Sequence, residues 1–149
     1  MLQITIIFII KVTLHIPVNN PKSNVFEMSK NLFLGDISKC LELLNIMFDQ
    51  NEDVFGVINI LTNDFVDVLR VKILLENNIE TTKLLEFFDY ARKEFRIKIA
   101  LQRAKKITKT KLKNSLKILI NTDLKLKSST IDSQTVLSEL LVLLHKELY

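Results

Sequence analysis

A chain of 149 residues, 48% apolar and 26% charged, has the length of one domain and enough of both kinds of surface to build a core and stay in solution. Two glycines and two prolines are too few for the tight turns of an all-β fold or for a glycine-rich phosphate loop, and one cysteine excludes an internal disulfide and a cysteine-built zinc site. The net charge of +4 is unevenly spread: residues 1–82 have an acidic excess of four, residues 83–127 a basic excess of ten and residues 128–149 an acidic excess of two.

The chain opens with an apolar stretch, Ile4 and Ile6–Ile10, closed by Lys11. It is too short to span a bilayer, which takes about 20 apolar residues. It also lacks the basic lead and small-residue cleavage site of a secretory signal, so no membrane association is expected. Pro17, Asn19, Asn20 and Pro21 then form the clear breaker cluster. They divide the chain into an apolar segment and linker over 1–22 and a helical domain over 23–149.

Ser23 suits the cap of a short helix bearing Phe26 and Met28, with Glu27 in the first turn where the helix dipole favours an anion. Gly35 fits the left-handed position after that helix, and Asp36 is a strong N-cap for the next. Cys40, Leu41, Leu44, Met47 and Phe48 recur on one helical face. Asn51, Glu52 and Asp53 interrupt the pattern and cap a third helix from Val54 to about Glu76. Its stripe of Val57, Ile58, Leu61, Phe65, Val68 and Leu69 is the best in the chain, and its length suits a helix crossing the whole bundle.

Asn77 and Asn78 end that helix. A short helix is expected over Thr82–Phe88, with a break near Asp89 and Tyr90. Arg92–Lys106 reads as a basic helix whose apolar set, Phe95, Ile97, Ile99, Ala100 and Leu101, is thin. Thr108 or Thr110 caps the next helix, striped by Leu112, Leu116, Leu119, Ile120 and Leu124, with Lys125 and Lys127 in its last turn. After the polar linker Ser128–Asp132 comes a final helix with Val136, Leu137, Leu140, Leu141, Leu143 and Leu144. It is apolar on more than one side, so Leu137, Leu140, Leu141 and Leu144 are the expected subunit-facing residues. The expectation is an all-α bundle of about six to seven helices.

Catalytic chemistry finds little footing. No Walker loop, dinucleotide fingerprint, paired-histidine zinc helix or cysteine pair is present. Cys40, among Leu41, Leu43 and Leu44, reads as a small buried hydrophobe, and His15 and His145 have no acid at triad or ligand spacing. Asp64 and Asp67 lie three apart on the long helix, and read as solvated acids opposite the apolar stripe. No catalytic residue, cofactor or metal is expected. The basic block has more content: Tyr90, Arg92, Lys93, Arg96, Arg103, Lys105 and Lys106 are the candidate DNA-facing residues, since cations pair with phosphates and an exposed ring stacks on an unpaired base. A lysine-rich solvated face explains the same pattern equally well, and no nucleic-acid motif is matched.

Several stretches in order carry a resemblance. They are the opening Asn24–Asp36, the leucine-paired Cys40–Leu44, the long helix with Phe65, Leu69 and Lys72, the section Phe88–Gln102, then Leu119–Lys127 and the leucine-rich tail Leu137–Leu144. From about Asn24 onward the chain resembles the C-terminal domain of bacterial DNA polymerase III delta subunits. The resemblance implies a helical collar domain that holds the clamp loader together, and hence sliding-clamp loading at primed DNA during replication. It implies a cytoplasmic protein whose partners are the gamma/tau and delta-prime type loader subunits and primer-template DNA, with the sliding clamp reached only through an N-terminal region that this sequence lacks. Nucleotidyl transfer would belong to the polymerase holoenzyme and not to this chain. Family members are more than twice as long, so a truncated or split delta subunit is expected. In that case residues 1–22 are a remnant of the preceding lid domain. A basic nucleic-acid-binding module and a delta remnant without independent function are the alternatives.

Overall fold

The computed structural model describes residues 23–149. The expectations for residues 1–22, a lid-domain remnant among them, lie outside the described residues. Those described form seven α-helices and one 3-10 turn, with no strand among them. These are α1 (Ser23–Leu34), α2 (Ile37–Asp49), α3 (Val54–Glu76), the turn Thr81–Lys83, α4 (Leu84–Phe87), α5 (Glu94–Ala104), α6 (Lys109–Ser128) and α7 (Ser133–Leu148). The all-α bundle expected from the sequence is what forms. Among the described residues no helix is long and apolar enough to cross a membrane.

The junctions follow local chemistry. Gly35 adopts φ +83, and its amide and that of Asp36 donate back to Leu32 and Asn31, which closes α1. The Asp36 carboxylate then accepts from the Lys39 amide and starts α2. Asp53, Thr108 and Asp132 cap α3, α6 and α7 in the same way, so Thr108 and not Thr110 opens α6. Asn51 and Asn78, which tolerate the left-handed region, sit at φ 52 and 55 in the turns after α2 and α3. Two expected helices are shorter than the sequence suggested. Arg92 takes φ 62, so α5 begins only at Glu94, and the short fourth helix divides into the 3-10 turn and a single α-turn.

Helix α3 is the axle. It packs against α5, α6 and α1, while α7 closes the other side against α6, α2 and α1. Buried residues therefore lie all round its middle, including Leu61, Phe65, Val66, Val68, Leu69 and Val71. Cys40 is buried as expected, and its thiol is pushed up to about 11, chiefly by that burial. Helix α7 overturns one expectation: Leu137, Leu140, Leu141 and Leu144 are all buried within the chain's own core. Three neighbouring helices take up the excess apolar surface that the sequence offered to a partner, so these four leucines form no outward face. The chain's own end is fastened too. The Tyr149 hydroxyl donates to the Phe33 carbonyl at 2.6 Å, and its ring lies 3.1 Å from where a Cβ on Gly35 would stand.

Candidate functional site

Polar chemistry concentrates where α5 crosses α3. Asp67 is 4% exposed and faces three donors. One carboxylate oxygen accepts from the Tyr90 hydroxyl at 2.5 Å, and the other accepts from Arg96 Nε at 2.8 Å and lies 2.6 Å from Arg96 Nη2. Arg70, one turn along α3, donates to the Tyr90 oxygen at 2.9 Å and stacks its guanidinium on the Phe88 ring at 3.9 Å. One turn before Asp67, Asp64 accepts from the Ser29 hydroxyl of α1 at 2.5 Å and from Arg103 of α5 at 3.4 Å. Arg103 in turn lies over the Phe33 ring at 4.2 Å.

This network corrects the sequence reading of two solvated acids. Because α3 is covered on several sides, the face carrying Asp64 and Asp67 is internal, and three arginines and a tyrosine compensate the charge there. Burial raises the Asp67 carboxyl above its ordinary value, against the opposing pull of Arg96, Tyr90 and Arg70. Burial and the neighbouring Asp67 push the Tyr90 phenol up to about 12, while burial lowers Arg103 against the pull of Asp64. No group of three or more metal-ligating side chains occurs among the described residues. Each carboxylate is already held by cations, an arrangement suited to fixing helices and not to proton transfer.

The DNA-facing candidates separate accordingly. Tyr90, Arg96 and Arg103 point inward to the aspartates, and Tyr90 is buried, so its ring is not free to stack on a base. Arg92, Lys93, Lys105 and Lys106 are exposed. They lie in pairs at the two ends of α5, about 17 Å apart along an eleven-residue helix, and so form no single cluster. Other lysines of the basic block fasten helix ends: Lys109 pairs with Glu76 at 2.8 Å, and Lys111 donates to the Leu148 carbonyl at 2.7 Å. Lys72, from α3, caps α5 at the Ala104 carbonyl at 3.0 Å.

Above this polar floor lies an open groove of about 660 Å³. Phe26, Lys30 and Leu34 of α1 form one wall, and Phe95, Ile99 and Gln102 of α5 the other, with Phe33, Asp64, Asp67, Arg96 and Arg103 beneath and Tyr149 at its edge. The sequence reading missed the groove because it joins residues some seventy positions apart. The only trace was the apolar Phe95 and Ile99 interrupting a basic helix.

A family model described as the DNA polymerase III delta subunit, C-terminal domain, matches residues 22–144. No curated protein matches the sequence. Among solved structures, the DNA clamp loader delta protein of Bacillus subtilis is similar to this chain with a TM-score of 0.69 and 21% identity. The match covers 83% of this chain and 36% of the Bacillus subtilis chain, so the present chain spans about a third of that protein's length. At this identity the likeness concerns the fold.

Proposed function

We propose, for a chain that belongs to the family of C-terminal domains of DNA polymerase III delta subunits, that it acts as an assembly piece of a clamp loader. In this reading it docks on the other loader subunits, of the gamma/tau and delta-prime type, and so supports loading of the sliding clamp at primed DNA. The observation that carries the reading is the family match over residues 22–144, in a domain whose described residues are helical throughout their regular structure. Large apolar side chains left in solvent, Leu34, Phe95 and Ile99 among them, are consistent with a domain that works in company.

The division into a segment over 1–22 and a domain over 23–149 belongs to the same proposal, with the first segment leading in from a preceding lid domain. Primer-template DNA would be met through Arg92, Lys93, Lys105 and Lys106, none of which has an acidic partner within 4 Å among the described residues. Contact with the sliding clamp would fall to a delta N-terminal region. The test is co-elution: mixed with purified gamma/tau and delta-prime type subunits at micromolar concentration, the chain is expected to leave a sizing column in a stoichiometric complex. Elution as a free species beside them contradicts the reading.

A further inference from the structure

We propose that the α1–α5 groove is the docking face, and that its occupant is an amphipathic helix, with carboxylates beside an apolar stripe, from a neighbouring loader subunit. The inference rests on the assembly reading above and adds the place and the chemistry of the contact.

The shape argument comes from the two walls. Phe26, Lys30 and Leu34 recur at four-residue spacing on α1, the spacing that sets one row along a helix. Phe95 and Ile99 do the same on α5, and Lys106 continues the line past the helix end. Eight residues from Phe26 to Leu34 span about 12 Å, a little over two helical turns. Four of the apolar wall residues remain well exposed: Phe26 at 40%, Leu34 at 63%, Phe95 at 53% and Ile99 at 41%. A concave apolar trough of about two turns, lined from two helices, is the geometry into which a helix lays its apolar face.

Charge selects the occupant. Asp64 and Asp67 are lining residues, but Arg103 and Arg96 engage them at the floor, so their charge is compensated before it reaches the mouth. At the rim Lys30 and Glu27 pair with each other at 3.4 Å, which leaves Lys106 as the uncompensated charge. Lys106 has no acidic partner within 4 Å among the described residues, and Lys105 is exposed beside it. A positive mouth over an apolar trough favours a partner helix flanked by Asp or Glu and repels a basic one. Leu85 and Phe87, also exposed, belong to the four-residue helix α4 outside the groove, which makes Phe87 a suitable control.

The experiment compares the full chain with Leu34→Asp, Ile99→Asp, Lys30→Glu/Lys106→Glu and Phe87→Asp. Affinity for the purified gamma/tau and delta-prime type subunits is read by sedimentation, and folding by circular dichroism. Leu34→Asp and Ile99→Asp are each expected to weaken association about tenfold or more, as loss of a central apolar anchor does. The charge reversal is expected to weaken it several-fold at low salt and much less at high salt, because rim charges are screened. Phe87→Asp is expected to bind as the unaltered chain does.

If the unaltered chain assembles and the groove variants assemble equally well, the groove is overturned while the assembly reading stands. If the unaltered chain does not assemble, both fall. Two results in the chain alone also overturn the proposal. Loss of thermal stability in both groove variants would put residues 1–22 in the trough, and loss of self-association would put a second copy there.

Discussion

Replacing Asp67 by alanine removes the hub of the buried network. The carboxylate is 4% exposed and holds the Tyr90 hydroxyl, Arg96 and, at 3.6 Å, Arg70. Its loss leaves a buried phenol and two guanidinium groups facing one another without the anion between them. Breaking a buried pair by removing one partner costs about 3–5 kcal/mol. Arg96 keeps 18% of its side chain in solvent and can turn outward, which places the expected loss near the lower bound, about 3 kcal/mol. Urea denaturation followed by circular dichroism reads this as a fall in midpoint with little change in slope. For a domain of this size the melting temperature should drop by about 10 °C. Asp67→Asn should lose less, since an amide oxygen still accepts from Tyr90. Asp67→Ala/Arg96→Ala should lose less than the sum of its parts, because no unpaired arginine remains at that position. A loss below about 1 kcal/mol for Asp67→Ala, the range of a solvated surface pair, would refute the description of this network as buried and mutually dependent.

Gly35→Ala should destabilise by more than about 1 kcal/mol, since φ +83 is strained for any side chain and the new methyl meets the Tyr149 ring; Tyr149→Phe should lose only the Phe33 hydrogen bond, and thermal melts distinguish the two. Tyrosinate absorbance should show Tyr90 ionising near pH 12. Because its folded-state value lies above the unfolded one of 10, its contribution to stability is fully present below pH 10 and is lost as pH rises toward 12, as urea midpoints across that window should show. Lys105→Glu/Lys106→Glu should lower the salt dependence of any binding to primer-template DNA by about two units of log–log slope, one for each phosphate no longer neutralised. Phe65→Ala, at the centre of α3, should cost about 3–5 kcal/mol by opening a cavity.

The architecture was largely legible because each junction carries its own chemistry. Gly35 with Asp36, Asp53 after Asn51, Thr108 and Asp132 each announce a helix boundary through a capping group or a left-handed turn, and all lie where those residue types place them. The site was not legible, because periodicity describes one helix at a time. The stripe of α3 marks one buried face, but whether the opposite face is wet depends on α5, which returns across it some thirty residues later. Asp64 and Asp67 therefore resembled solvated acids, and Arg96 and Arg103 resembled phosphate-binding cations, until packing brought the four together. The same blindness made the leucines of α7 look like an outward face. The leucines of α7 are numerous because three helices surround it, while Phe26, Leu34, Phe95 and Ile99, on α1 and α5, are left exposed.

Sedimentation velocity of the full chain titrated into gamma/tau and delta-prime type subunits measures assembly most directly. One faster boundary containing the chain in fixed ratio, saturating at micromolar concentration, is the predicted outcome. A slow boundary for the chain, unchanged across the titration, would contradict the proposed role as a piece of the loader.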